Sequence, residues 1–206
     1  QIRLADQIVA DAHHWVPPQE RGVGLVFQDV ALFPHLSVFD NIRFGIESWS
    51  SKDQSARVTE LLSLVGLSGL ERRFPHELSG GQAQRVALAR AIVREPELVF
   101  YDEPFAGLDP ISMGIAARLI RHLSVQLGCA SVVITHDVPE SFEIADTVYI
   151  VGQGKLKASG TPGSLRQSQD PYVKQFLEGA PDGPVAFDYP NTPAFERWCQ
   201  NKGIKP

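Results

Sequence analysis

The chain has 206 residues, 43% of them apolar and 21% charged, with a formal net charge of −5. That length suffices for one domain with a full core, and an acidic balance without a long basic run excludes a general attraction to nucleic acid. No stretch approaches the roughly 18 consecutive apolar residues of a membrane helix, no secretory leader pattern opens the chain, and Cys129 and Cys199 have neither metal-ligand spacing nor a disulfide framework.

The chain is therefore read as cytoplasmic, with any membrane role reached through a partner. It opens on "QIRLADQIVAD", strand-like and without an initiator methionine, the pattern of a domain entered part-way. "VGLVF" (23–27) is a short β-type run that stops at Gln28, and a loop-rich stretch follows. "ARVTELLSLVGL" (56–67) places Val58, Leu61, Leu62 and Val65 at the spacing of an amphipathic helix, with Gly66 as its stop. "FPHELSGGQAQRVALARAIVREP" reads as a loop, a helix and a proline stop. "LVFYD" (98–102) and "SVVIT" (131–135) are continuous β-rich runs, expected to be strands covered on both faces. Between them the spacing predicts a helix with Ile115, Leu119, Leu123 and Leu127 along one face, Asp109 as its cap and Pro110 as its first residue. A further helix is expected after Asp137, then a hairpin turning at Gly152–Gly154, then a partly ordered tail. Alternating strands and helices predict an α/β layered fold with a parallel sheet, interrupted by a helical insertion.

Four places carry chemistry. In "LSGGQ" (78–82), Ser79 and Gln82 are spaced for a capping box, and Gly80 and Gly81 leave backbone N–H groups open to an anion at a helix N-terminus. Alone, this reads either as a plain cap or as an anion site. Asp102 and Glu103 end a strand as two adjacent carboxylates, the arrangement that can hold Mg²⁺ through water and polarise an attacking water. His136 ends the next strand and Gln28 an earlier one. In a parallel sheet these three tips converge on one edge, where ligands bind in such folds.

This order and spacing resemble the nucleotide-binding domain of ABC-family ATPases. Gln28 matches the family's Q-loop, "LSGGQ" its signature, "LVFYDE" its Walker B strand with the catalytic glutamate, "AGLD" (106–109) its D-loop and His136 its switch histidine. The resemblance covers about residues 1–165. It implies a P-loop NTPase (RecA-like) parallel sheet with an ABC helical subdomain. Residues 1–28 are then a partial β region ending in the Q-loop, 29–85 the helical subdomain ending in the signature, 86–165 the RecA-like core and 166–206 a C-terminal tail. It also implies ATP and Mg²⁺ as ligands and a head-to-tail homodimer. Glu103, His136 and Gln28 would serve catalysis, and Asp102 with Gln28 the metal. Ser79, Gly80, Gly81, Gln82 and Asp109 would act on the partner's nucleotide. Transmembrane permease subunits are the implied partners, with a periplasmic substrate-binding protein as a further candidate. The implied location is the cytoplasmic face of a bacterial inner membrane.

The family pattern also calls for an adenine-stacking aromatic, a strand and a G-x-x-x-x-G-K-S/T loop, and the 206 residues contain no such loop. Gly154-Lys155 lies in a hairpin without a following Ser or Thr and is no substitute. The expectation is a fragment of a longer product, inactive alone and with core surface exposed. Phe33, Pro34 and Phe44 are candidate apolar contacts for a permease helix. The first half resembles ATPases of ferric-iron and small-anion importers. "THDVPESFEIAD" and "FLEGAPDGPVAFDYP" resemble ATPases that traffic phospholipid to maintain outer-membrane asymmetry, although that family more usually has Gln where Leu108 stands. In that family the tail contacts the second ATPase, which makes Phe187 and Tyr189 candidates. A soluble ABC protein acting on DNA or ribosomes, and a non-catalytic ABC remnant serving as a binding module, are the alternatives of other classes.

Overall fold

The computed structural model describes residues 1–4, 7–185 and 193–203; Phe187 and Tyr189 lie outside them. The chain divides into two compact units, Gln1–Ile144 and Ala145–Pro206. In the first, an antiparallel hairpin of β1 (Ile2–Leu4) and β2 (Gln7–Ala10) precedes β3 (Val23–Val26). Three helices follow, α1 (Val38–Arg43), α2 (Ser51–Leu64) and α3 (Gly80–Ile92). The unit ends with β4 (Leu98–Asp102), α4 (Pro110–Leu127), β5 (Ala130–Ile134) and α5 (Val138–Ile144).

Local chemistry sets these boundaries. Ser37, Ser50 and Ser79 each accept a hydrogen bond from the amide three residues on, and Asp109 accepts from Ile111 and Ser112, so four helices start on capped turns. The α4 helix ends at Gly128, whose φ of +61° is the left-handed cap that glycine adopts without a steric penalty.

Strands β3, β4 and β5 form a parallel sheet in that order, with Val26 opposite Tyr101 and Asp102 opposite Ile134. Right-handed crossovers put α3 and α4 on the same face. There Val26, Val99 and Tyr101 join Val86, Ala89, Ile92, Ala117, Ile120 and Leu123 in one core. The other face is open: Leu25, Phe27, Val132 and Ile134 are 45%, 48%, 41% and 52% exposed. The expectation of strands covered on both faces is corrected, because the apolar side chains of this second face stand open to solvent. Of the predicted α4 stripe, Leu123 is buried and Leu119 and Leu127 pack against the core, while Ile115 is half exposed and Ala116, Ala117 and Ile120 complete the buried face. Small alanines let the helix approach closely, and the apolar pattern alone hid which face does so.

Two contacts fix α3 against its neighbours. Arg57, buried on α2, donates to the carbonyls of Ile92 and Val93 at the end of α3 and pairs with Glu60 and Glu95. Gly24 lets β3 lie directly under α3, since a β-carbon there would stand 2.6 Å from the Ala91 carbonyl oxygen.

The second unit holds the hairpin β6 (Val148–Gly152) and β7 (Lys155–Gly160), followed by α6 (Pro162–Arg166), α7 (Pro171–Glu178) and α8 (Pro193–Lys202). The hairpin turns at Gln153 and Gly154, both with positive φ, as a two-residue turn requires. Part of the segment read as a tail is helical because Asp170 caps α7, and Gln175 then pairs with both backbone groups of Val185 to fold the following turn back.

Gly24→Ala is expected to destabilise the chain by about 1–3 kcal/mol, the cost of overpacking against backbone, measured as a lower urea midpoint; an unchanged midpoint would show that α3 can shift away freely.

Candidate active site at the edge of the parallel sheet

Parallel strands release their chains at a common edge, and the register decides which residues meet there. Gln28 stands two residues past Val26, which pairs with Tyr101, so it reaches the same edge as Asp102 and Glu103. His136 stands two residues past Ile134, the partner of Asp102. The structure thus brings the three tips to one edge. Gln28 and Asp102 are exposed there.

Glu103 leaves β4 with φ +45°, a conformation that costs a residue with a side chain on the order of 1–3 kcal/mol. Its amide donates to the Ile134 carbonyl at 2.8 Å, which extends the ladder past Asp102. The carboxylate is held at both oxygens: His136 Nδ1 lies 3.0 Å from Oε1, and Thr135 Oγ1 donates to Oε2 at 3.1 Å. Thr135 Oγ1 also accepts from the Asp137 amide at 3.1 Å and lies 3.2 Å from Asp137 Oδ2. An oriented carboxylate with an imidazole beside it can position a water and take up its proton.

The signature residues begin α3. Ser79 Oγ accepts from the Gln82 amide at 3.3 Å, and Gln82 Oε1 accepts from the Ser79 amide at 2.9 Å, a reciprocal box that leaves Ser79 and Gly80 exposed. A β-carbon on Gly81 would stand 3.5 Å from Ser112 Oγ, so this end of α3 rests against the start of α4. Buried Gln84 donates to the Pro104 carbonyl at 3.0 Å and ties α3 to the residue after Glu103. Asp109 accepts from Ser112 Oγ at 2.5 Å and from the amides of Ser112 and Ile111. These bonds, the Ser112 hydroxyl first, hold its carboxyl below the usual carboxylate range.

Oxygen donors at a strand tip suit Mg²⁺, and the Asp102 carboxylate and the Gln28 amide oxygen meet that requirement. Glu103, His136 and Asp137 also bring ligand atoms within 4.8 Å of one another. Glu103 is already bonded to His136 and Thr135, Thr135 in turn to Asp137, and an imidazole is a poor ligand for so hard a cation, so this cluster suits magnesium less well than Asp102 and Gln28 do.

Three residues went unnoticed in the sequence: Thr135, Asn41 and Arg90. Asn41 is fully buried; its side chain accepts from the Phe33 amide and donates to the carbonyls of Phe33, Leu36 and Ser37. The available signal was a polar group inside an apolar pattern, as with the lone cation of "VALARAI". Thr135 gave none, because threonine is ordinary in a strand.

The hydrogen bond to Glu103, then the charges of Glu103 and Asp137, raise the pKa of His136 above its ordinary 6.5. A raised folded-state pKa stabilises the protein below the ordinary value and ceases to do so as pH rises through the shifted one. Titration of His136 by ¹H–¹⁵N NMR is expected to give a midpoint above 6.5 that falls back in Glu103→Gln; an unchanged midpoint would mean that Glu103 does not hold the ring.

Comparison with known proteins agrees with this geometry. Residues 1–106 match the family described as ABC transporter. Over 171 residues, 82% of this chain and 65% of the relative, the chain is 48% identical to the intermembrane phospholipid transport system ATP-binding protein MlaF of Haemophilus influenzae. It is 45% identical over 166 residues, 77% of this chain and 48% of the relative, to the sulfate/thiosulfate import ATP-binding protein CysA of Xanthomonas campestris. The solved structure of cbiO1 from Clostridium perfringens, part of the ABC transporter complex cbiONQ, matches with a TM-score of 0.67 at 30% identity, covering 76% of this chain and 64% of that one. The chain thus spans less than two thirds of the length of each of these relatives. Sheet order, strand tips, family match and structural likeness agree: the chain belongs to the ABC transporter family and has the α/β fold of its P-loop NTPases.

Proposed function

We propose that this chain is the ATP-binding and ATP-hydrolysing part of an ABC transporter and drives cargo through a partner permease. The observation that carries the reading is the Glu103 carboxylate, held between His136 and Thr135 beside exposed Asp102 at the open edge of the sheet. Glu103 orients and deprotonates the attacking water, and His136 holds that carboxylate in place and faces the terminal phosphate. Ser79, Gly80, Gly81 and Gln82 contact the nucleotide of a second ATPase subunit arranged head to tail, and Asp109 acts across that dimer. Mg²⁺, held by Asp102 and Gln28, would offset the phosphate charge. Among the described residues no helix is long and apolar enough to cross a membrane, so the reading is of a peripheral subunit bound to its permease at the cytoplasmic face.

Phospholipid is the cargo favoured by the 48% identity to MlaF and by the motif "FLEGAPDGPVAFDYP". A second reading, import of a small anion or a metal ion with a periplasmic binding protein, draws on the 45% identity to CysA. Phe33 and Phe44, with ring centroids 4.6 Å apart and Phe44 half exposed, form an apolar patch suited to a permease helix.

In a chimera that places a strand, a G-x-x-x-x-G-K-S/T loop and a helix of the family pattern ahead of Gln1, Glu103→Gln is expected to bind ATP and dimerise. Its turnover should fall about 10²–10⁴-fold, the usual loss of a general base. Phosphate release near the unsubstituted rate would remove Glu103 from this role. The 206 residues alone, titrated with labelled ATP, are expected to show no micromolar binding, because they have no lysine-bearing phosphate loop; tight binding would require a different nucleotide site.

A further inference from the structure

We infer that Arg90 is a strut that fixes the backbone after Gln28 to the signature helix, so that movement of α3 is passed to the Phe33–Phe44 patch. The guanidinium forks onto two successive carbonyls, Nη1 donating to Ala31 at 2.8 Å and Nη2 to Val30 at 3.3 Å. Its plane also lies over the Phe33 ring, 5.5 Å from the centroid, and that ring rests on Phe44. The carbonyls it grips belong to residues with φ +58° and +45°. Such values are rare for alanine and rarer for a β-branched valine. Consecutive left-handed residues turn their carbonyls the same way, which is what a two-pronged donor requires. The strained pair and the fork are therefore one arrangement, and each accounts for the other.

Arg90 lies three turns along the helix that begins with Ser79 and Gly80, and its partners lie 59 and 60 residues away in sequence. Loop 28–37 is gripped from two sides: buried Asn41 of α1 binds both backbone groups of Phe33, and Arg90 of α3 binds the two carbonyls before it. Asn41 sets the loop's shape within the helical subdomain, whereas Arg90 ties its backbone to the signature helix by hydrogen bonds. Lysine would keep the charge and the contact with the ring but cannot span two carbonyls in one plane. The contribution to transport rests on the function proposed above; the strut is a property of this chain by itself.

The test uses the 206-residue chain carrying 4-fluorophenylalanine at position 33 and needs no nucleotide. Gly81→Asp disturbs the start of α3 where it rests against Ser112. It is expected to shift the ¹⁹F resonance at position 33 when Arg90 is present and to leave it unmoved in Arg90→Lys. Equal shifts in both backgrounds, or none in either, would overturn the inference. Hydrogen exchange guards against a folding defect: Arg90→Lys should speed exchange of the Val30 and Leu36 amides about tenfold or more while α3 amides keep their protection. Uniform loss of protection would make Arg90 a stabilising residue and nothing more. Arg90→Gln, which loses both charge and fork, should repeat the lysine result. None of these outcomes depends on ATP turnover, so they are separable from the fate of Glu103→Gln.

Discussion

The site depends on the parallel pairing of β4 between β3 and β5. Pairing Val26 with Tyr101, and Asp102 with Ile134, brings residues more than thirty positions apart to a shared edge with a spacing set by the ladder. A shift of one residue in either pairing would turn each tip to the opposite face. The left-handed turn at Glu103 adds the last element, because its amide still bonds to Ile134 while its side chain crosses to β5. Ladder bonds fix the backbone, and His136 and Thr135 then fix both oxygens of the carboxylate.

A second consequence of that sheet is mechanical. Helix α3 is held at its far end by Arg57, under its last turns by Gly24, and near its start by Gln84 on the Pro104 carbonyl. The signature and the segment following Glu103 are therefore attached to one rigid rod. Arg90 adds the loop after Gln28 to the same rod. Three motifs far apart in sequence are thereby joined to one helix.

The strands, the starts of α3 and α4 and the strand tips were readable in advance because they rest on short-range rules, whereas α1 lies in a stretch that reads as loop and α2 begins at Ser51, ahead of the periodic run from Ala56. Apolar runs ended at Gln28 and Asp102, Ser and Asp stood at cap positions, and Pro110 followed Asp109. The coverage of the sheet was not readable. An unbroken run such as "SVVIT" is compatible with burial on both faces, yet Val132 and Ile134 lie open, since coverage depends on which helices the crossovers deliver. The buried face of α4 departs from its stripe at Ile115 for a related reason. Leucines and isoleucines mark an apolar stripe, but Ala116 and Ala117 mark the line of closest approach, and that depends on the neighbour. Thr135 and Arg90 escaped because their roles are set by partners contributed by other segments, and Asn41 because its bonds depend on the turn its own loop makes.

The open face has a bearing on the chemistry as well. Leu25, Phe27, Val132 and Ile134 leave the sheet with apolar side chains in water beneath the edge where Glu103 sits. Electrostatic interactions at a site strengthen as water is excluded from it. His136, with 77% of its side chain exposed, therefore bonds to Glu103 in a setting where solvent screens the interaction. Any element that covers this face would bury apolar surface and lower the local dielectric beside the carboxylate. Burial of this apolar face and the strength of the Glu103–His136 contact are therefore linked, because both respond to the exclusion of water.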